Sequence, residues 1–162
     1  MRISPHQRRI KMGIEENKAV VKEFIARFGN GDKSVIDELT TENLVGHLMT
    51  GKGIDRDRSL IKQASYVSGH DIYADYSITI DYLIAEGDKV MALSTIRGTH
   101  TSAWDIPPTG KEVHKSRFTL YRLENGKIAE TWNMDDVLGE FQQLGVLPSL
   151  PEAIQAYNES LK

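Results

Sequence analysis

The stretch Gly126-Lys127-Ile128-Ala129-Glu130-Thr131-Trp132-Asn133-Met134-Asp135-Asp136, followed by Gln142-Gln143-Leu144-Gly145, decides how this chain is read. If residues 127–136 are extended, side chains alternate between two faces, so Ile128, Trp132, Met134 and Asp136 project one way and Asp135 the other. That places a carboxylate at the end of a greasy strand face. An acid on an apolar face is a candidate for proton chemistry, because burial moves a carboxyl group toward the range where it exchanges protons near neutrality. The competing role for Asp136 is a helix N-cap, since Val137-Leu138 opens a new apolar turn and a helix start needs acceptors for its free N–H groups.

Working outward, Glu124-Asn125-Gly126 is a tight hairpin signal, so Glu112 to Leu123 is expected to be the antiparallel neighbour of this strand. Upstream, Pro107-Pro108-Thr109-Gly110 breaks the chain, and Glu86-Gly87-Asp88 turns it between two further strands. One is Val90 to Thr99. The other shows Tyr76, Ile78, Ile80, Tyr82 and Ile84 alternating with Asp75, Ser77, Thr79 and Asp81. Before residue 70 the apolar period is three to four instead of two. Ile14, Val21, Phe24, Ile25 and Phe28 form one helical stripe, Asp32 caps a short second helix with Val35, Ile36 and Leu39, and Ile54 to Val67 reads as a third. Asn43 to Met49 reads as a short strand or loop. Downstream, Val137, Leu138, Phe141 and Leu144 make a short helix ending at Gly145, and Ser149 with Glu152 forms a capping box for a last helix through Leu161. The pattern is α+β: helices on one face of an antiparallel sheet of about four strands, with a hollow between the layers that suits a small molecule.

Composition narrows the function classes. With 162 residues, one domain over 14–162 is expected, preceded by a flexible leader, 1–13, whose Arg2, Arg8, Arg9 and Lys11 are unmatched by any acid. A formal net charge of −3 argues against a nucleic-acid partner. No apolar run is long enough to span a membrane, and no signal peptide is evident. The absence of cysteine excludes thiolate nucleophiles and cysteine-held metals and fits a reducing, cytoplasmic setting. The five histidines show no His-Glu-x-x-His pattern, so no metal and no cofactor are expected. A phosphate-binding loop and a nucleophile elbow are also missing.

Gly87-Asp88-Lys89-Val90, Gly98-Thr99-His100-Thr101, Ile106-Pro107-Pro108-Thr109-Gly110-Lys111, Tyr121-Arg122 and the stretch ending Gln143-Leu144-Gly145 together resemble the SnoaL-like polyketide cyclases, or ester cyclases, over roughly Ile14 to Val146. The resemblance implies the nuclear-transport-factor-2-like fold, a cone-shaped α+β barrel in which a curved antiparallel sheet and its N-terminal helices wrap an apolar cavity. It implies cofactor-free ring closure by intramolecular aldol condensation, with a carboxylic acid moving the proton. In the family pattern that acid lies four residues after the strand tryptophan, which is Asp136 counted from Trp132. It also places His100 at the cavity, and a histidine near position 47. A homodimer or homotetramer is expected on the same ground. Two departures stand out: Asn133 replaces the acid that more often follows the tryptophan, and residues 50–71 do not match.

The expected site is therefore Asp136 as acid or base, with His100 and His47 placing oxygens, and Trp132, Met134, Asn43 and Trp104 contacting a small apolar carbonyl compound. If the chemistry is instead activation of water by Asp136, Asn43 or His47 would hold the water. Glu130 shares the Trp132 face, so it is either satisfied by an arginine such as Arg97 or Arg117 or placed at the rim. The rival from another class is a non-catalytic ligand-binding or dimerisation module of the same fold.

Overall fold

The computed structural model describes residues 13–48, 54–64, 69–102 and 106–162, so Trp104 and Met49 lie outside the described residues. Helix α1 (Ile14–Gly29) is followed by α2 (Val35–Leu39), strands β1 (Thr40–Leu48) and β2 (Ile54–Asp57), and helices α3 (Arg58–Ala64) and α4 (Gly69–Ile72). Then come the long strands β3 (Tyr73–Glu86), β4 (Lys89–His100), β5 (Glu112–Glu124) and β6 (Lys127–Asp135), and the closing helices α5 (Val137–Leu144) and α6 (Leu150–Ser160). Ile54–Asp57 is thus a strand and not the start of the expected third helix, because it pairs antiparallel with Val45–Leu48.

Six strands form one sheet in the order β2-β1-β6-β5-β4-β3. Four of the five strand pairings are antiparallel, but β1 lies parallel to β6, so the sheet is mixed. β2 and β3 are its two edges and do not meet. The sheet is unclosed, which corrects the expectation of a barrel. Both tight turns form as read: Gly87 has φ 60°, and Asn125 and Gly126 have φ 52° and 79°, the positive pair that a two-residue hairpin favours.

Bulges decide which side chains face inward. In β6, Glu130 pairs with Arg122 and Ile128 with Leu123, so Ala129 is an extra residue and the alternation reverses there. Ile128 therefore joins the core while Trp132 and Met134 face the opposite, convex side. Asp81 does the same in β3, since Ile80 pairs with Ser94 and Tyr82 with Leu93. Ile78 and Ile80 pack inward, whereas Tyr82 and Ile84 stand exposed outside. A third shift lies between Ala74 and Ser77, where Asp75 takes φ 54°. Such bulges bend the strands and curve the sheet.

Helix α1 lies in the concavity. Its Val21 and Ile25 are buried against Leu44, Val90, Ala92, Tyr121, Leu123 and Ile128, and Phe24 meets the Tyr121 ring edge-on at 6.2 Å. Helix α5 covers the other end, where Leu144 packs with Tyr73 and Val113. Gly145 ends α5 at φ 78°, and the Ser149–Glu152 box caps α6 as expected. No described helix is long and apolar enough to cross a membrane.

Candidate functional site

The shared register of β4, β5 and β6 puts Ser94, Arg117, Thr119, Tyr121, Thr131, Asn133 and Asp135 on the concave face. Asp135, the acid expected to face away from the site, is the one that points into the hollow. Its oxygens accept from Arg117 Nε at 2.6 Å and Nη2 at 3.3 Å. Burial opposes the Arg117 charge, but the adjacent carboxylate outweighs it and raises the guanidinium pKa. Beside the pair, the Thr119 hydroxyl donates to Asn133 Oδ1 at 2.9 Å, so Asn133 serves this wall as a hydrogen-bond partner. Burial raises the phenols of both neighbouring tyrosines, Tyr121 to about 12 and Tyr76 upward from its ordinary value.

The wall continues through aromatic contacts. Tyr76 stacks on Tyr73 at 6.4 Å, and Tyr73 meets the His100 ring edge-on at 6.3 Å. Tyr73 donates to Glu140 Oε1, and Lys115 donates to Glu140 Oε2 at 2.7 Å, a buried triad joining β3, β5 and α5. Burial, then the bond to Glu140, pushes the Tyr73 phenol far above its usual range. Nothing in the local sequence signals this triad. Its members are 67 and 25 residues apart.

His100 is fully buried at the end of β4. The Thr109 backbone N–H donates to its Nδ1 at 3.2 Å, so Nδ1 is an acceptor and the ring proton lies on Nε2, which has no partner among the described residues. Asp136 is exposed at the strand–helix junction and caps α5, accepting from Gly139 N at 2.9 Å through Oδ1. No other hydrogen bond to the Asp136 side chain forms among the described residues, so Oδ2 is open.

His47 and Trp132 do come together, but on the convex face, which Met134 shares. The His47 ring stacks on Trp132 at 5.0 Å and bonds to Glu130 at 2.8 Å. Glu130 also accepts from Arg122, not from Arg97 or Arg117, and Arg122 first, then His47, lowers its pKa. Asn43 is exposed and lines a groove of about 730 Å³ together with Arg58, Arg122 and Lys127. That groove contains neither Asp135 nor Asp136. Among the described residues, no group of three His, Asp or Glu side chains is placed to hold a metal ion.

An open curved sheet with a helix in its hollow and a polar wall across its middle strands defines a nuclear-transport-factor-2-like α+β protein. The SnoaL-like polyketide cyclase family model matches residues 18–144, and the chain belongs to that family. No curated protein matches the sequence. Among solved structures, AclR from Streptomyces galilaeus, proposed to be a hydroxylase, is similar with a TM-score of 0.76 and 22% identity, covering 92% of this chain and 93% of its own. IdmH from Streptomyces antibioticus, proposed to be a polyketide cyclase, has a TM-score of 0.70 and 26% identity over 80% of this chain and 98% of its own. An epoxide hydrolase from M. tuberculosis shares the fold at a TM-score of 0.63 and 18% identity over 82% of this chain and 92% of its own.

Proposed function

We propose that the protein closes or rearranges a small, enolisable carbonyl compound by proton transfer without a cofactor, in the manner of a polyketide cyclase. The observation that carries this is the open Oδ2 of Asp136, held at a fixed helix start one residue beyond the inward Arg117–Asp135 pair. Asp135 is ill suited to move protons, because both its oxygens are occupied by Arg117. Asp136 takes a proton from the carbon beside a carbonyl, and the C–H electron pair moves into a C=C bond and onto the oxygen. The enolate carbon then attacks a second carbonyl of the same molecule. Asp136 returns its proton to the new alkoxide, so the ring closes with no net loss of atoms. His100 contributes its unpartnered Nε2–H from the concave wall that the tyrosines line, and Asp136 acts from its exposed position at the strand–helix junction.

The convex face supports a homodimer. Tyr82, Ile84, Met91, Phe118 and Met134 form an exposed apolar surface there, bordered by Trp132 and His47. Monomers rarely leave so continuous a patch open.

The test is exchange of the α-hydrogen of a β-keto ester for deuterium, followed by NMR, and ring closure of a linear poly-β-ketone ester, followed by mass spectrometry. The protein is expected to accelerate both, and Asp136→Asn to abolish both. Binding of the ester with no acceleration would establish the non-catalytic ligand-binding module instead.

A further inference from the structure

We infer that Arg117, with Ser94 beside it, is a binding site for the oxyanion that forms on the substrate, the enolate oxygen left when the α-carbon loses its proton. This rests on the proton-transfer reading above and assigns the group that holds the developing charge.

A guanidinium carries five N–H donors in a fixed plane. Asp135 uses only one edge of it, through Nε and one hydrogen of Nη2. Nη1 has no partner among the described residues, which leaves both of its hydrogens and the second hydrogen of Nη2 as a complete donor edge. That edge matches two oxygens or one oxygen held twice.

A second observation points the same way. Ser94 pairs with Arg117 across β4 and β5, so both side chains lie on the concave face. Ser94 is only 3% exposed, and its hydroxyl is a further hydrogen-bonding group on that face. A ligand oxygen beside Arg117 would accept from this hydroxyl as well as from the guanidinium.

The arrangement also suits an anion better than a neutral carbonyl. Arg117 is 30% exposed, so water screens its charge only in part, and Asp135 fixes its plane before any ligand arrives. Donors aimed at a charge that develops during reaction bind the intermediate more tightly than the ground state. Tyr76 and Tyr121 flank the cation. Their phenols are held protonated by burial, so they do not compete as anions.

The experiment uses pentane-2,4-dione as the probe, because its enolate absorbs in the ultraviolet where its keto form does not. Bound to the intact protein, the probe should reach half-ionisation at a pH at least about one unit lower, roughly tenfold tighter binding of the enolate. The charge-neutral double variant Arg117→Gln/Asp135→Asn should lose that shift. Arg117→Lys keeps a cation opposite Asp135 but not the second edge, and should lose most of it. Asp136→Asn separates the two readings: it should keep the shift whatever happens to turnover. Absence of the shift in the intact protein, or its survival in the double variant or in Arg117→Lys, would overturn the assignment of Arg117 while leaving the role of Asp136 to the deuterium-exchange result.

Discussion

Arg117 and Asp135 meet edge to edge across β5 and β6 on the concave wall. Their side chains are 30% and 19% exposed, so neither charge is well solvated alone. Asp135→Ala should leave the guanidinium without its counter-charge and cost about 1–3 kcal/mol, less than a fully buried pair because water still reaches it. Asp135→Asn keeps one acceptor for Arg117 and should cost less. Urea midpoints of the two variants check the order.

The tyrosines give the protein a defined alkaline limit. Folded-state phenols lie above their ordinary value, Tyr121 at about 12, and Tyr73 and Tyr76 are raised as well. Below about pH 10 these groups hold their protons in both states, and their contribution to stability is fully present. Above that, the unfolded chain releases protons that the folded chain retains, so it binds fewer and stability falls as pH rises. Unfolding free energy should decline between about pH 10 and 12. Ultraviolet titration should show these phenols ionising together with loss of structure, and Tyr121→Phe should shift the decline upward.

Association through the convex face is open to direct measurement. Phe118 pairs with Met134 across β5 and β6, and Ile84 with Met91 across β3 and β4, with all four side chains exposed. Ile84→Glu or Phe118→Glu would set a charge in the middle of that surface. Sedimentation velocity should show a dimer for the intact protein and at least about tenfold weaker association for either variant, with unchanged circular dichroism. A monomeric intact protein would refute the interface.

Local signals were legible in the chain and long-range ones were not. The hairpin at Asn125-Gly126, the end of α5 at Gly145 and the Ser149–Glu152 box each depend on residues a few positions apart, and each forms as read. The face of β6 was misread because one inserted residue, Ala129, reverses the alternation, and a bulge is a property of the pairing rather than of the strand. That single slip exchanged Asp135 for Asp136 on the inward face and sent Trp132 and Met134 outside. The parallel pairing of β1 with β6 brings His47 against Trp132, a contact 85 positions apart in the chain that no local pattern encodes. Family motifs carried the overall fold because they sample several strands at once.

Asp136 has two roles that substitution can separate. As the α5 cap it accepts from Gly139 N, and any short side chain with an oxygen acceptor can do the same. As the proton carrier it needs a carboxyl group. Asp136→Ala should lose both roles, destabilising the protein by about 1 kcal/mol and abolishing α-proton exchange. Asp136→Ser keeps the cap, so its unfolding midpoint should stay close to that of the intact protein while exchange is still lost. Asp136→Glu keeps a carboxyl but moves it by one methylene; some exchange should survive, at a cost of tenfold or more from misplacement of the reacting oxygen. If Asp136→Ser retained full exchange, the carboxylate would be a structural cap alone, and the open oxygen at the strand–helix junction would have no part in the chemistry.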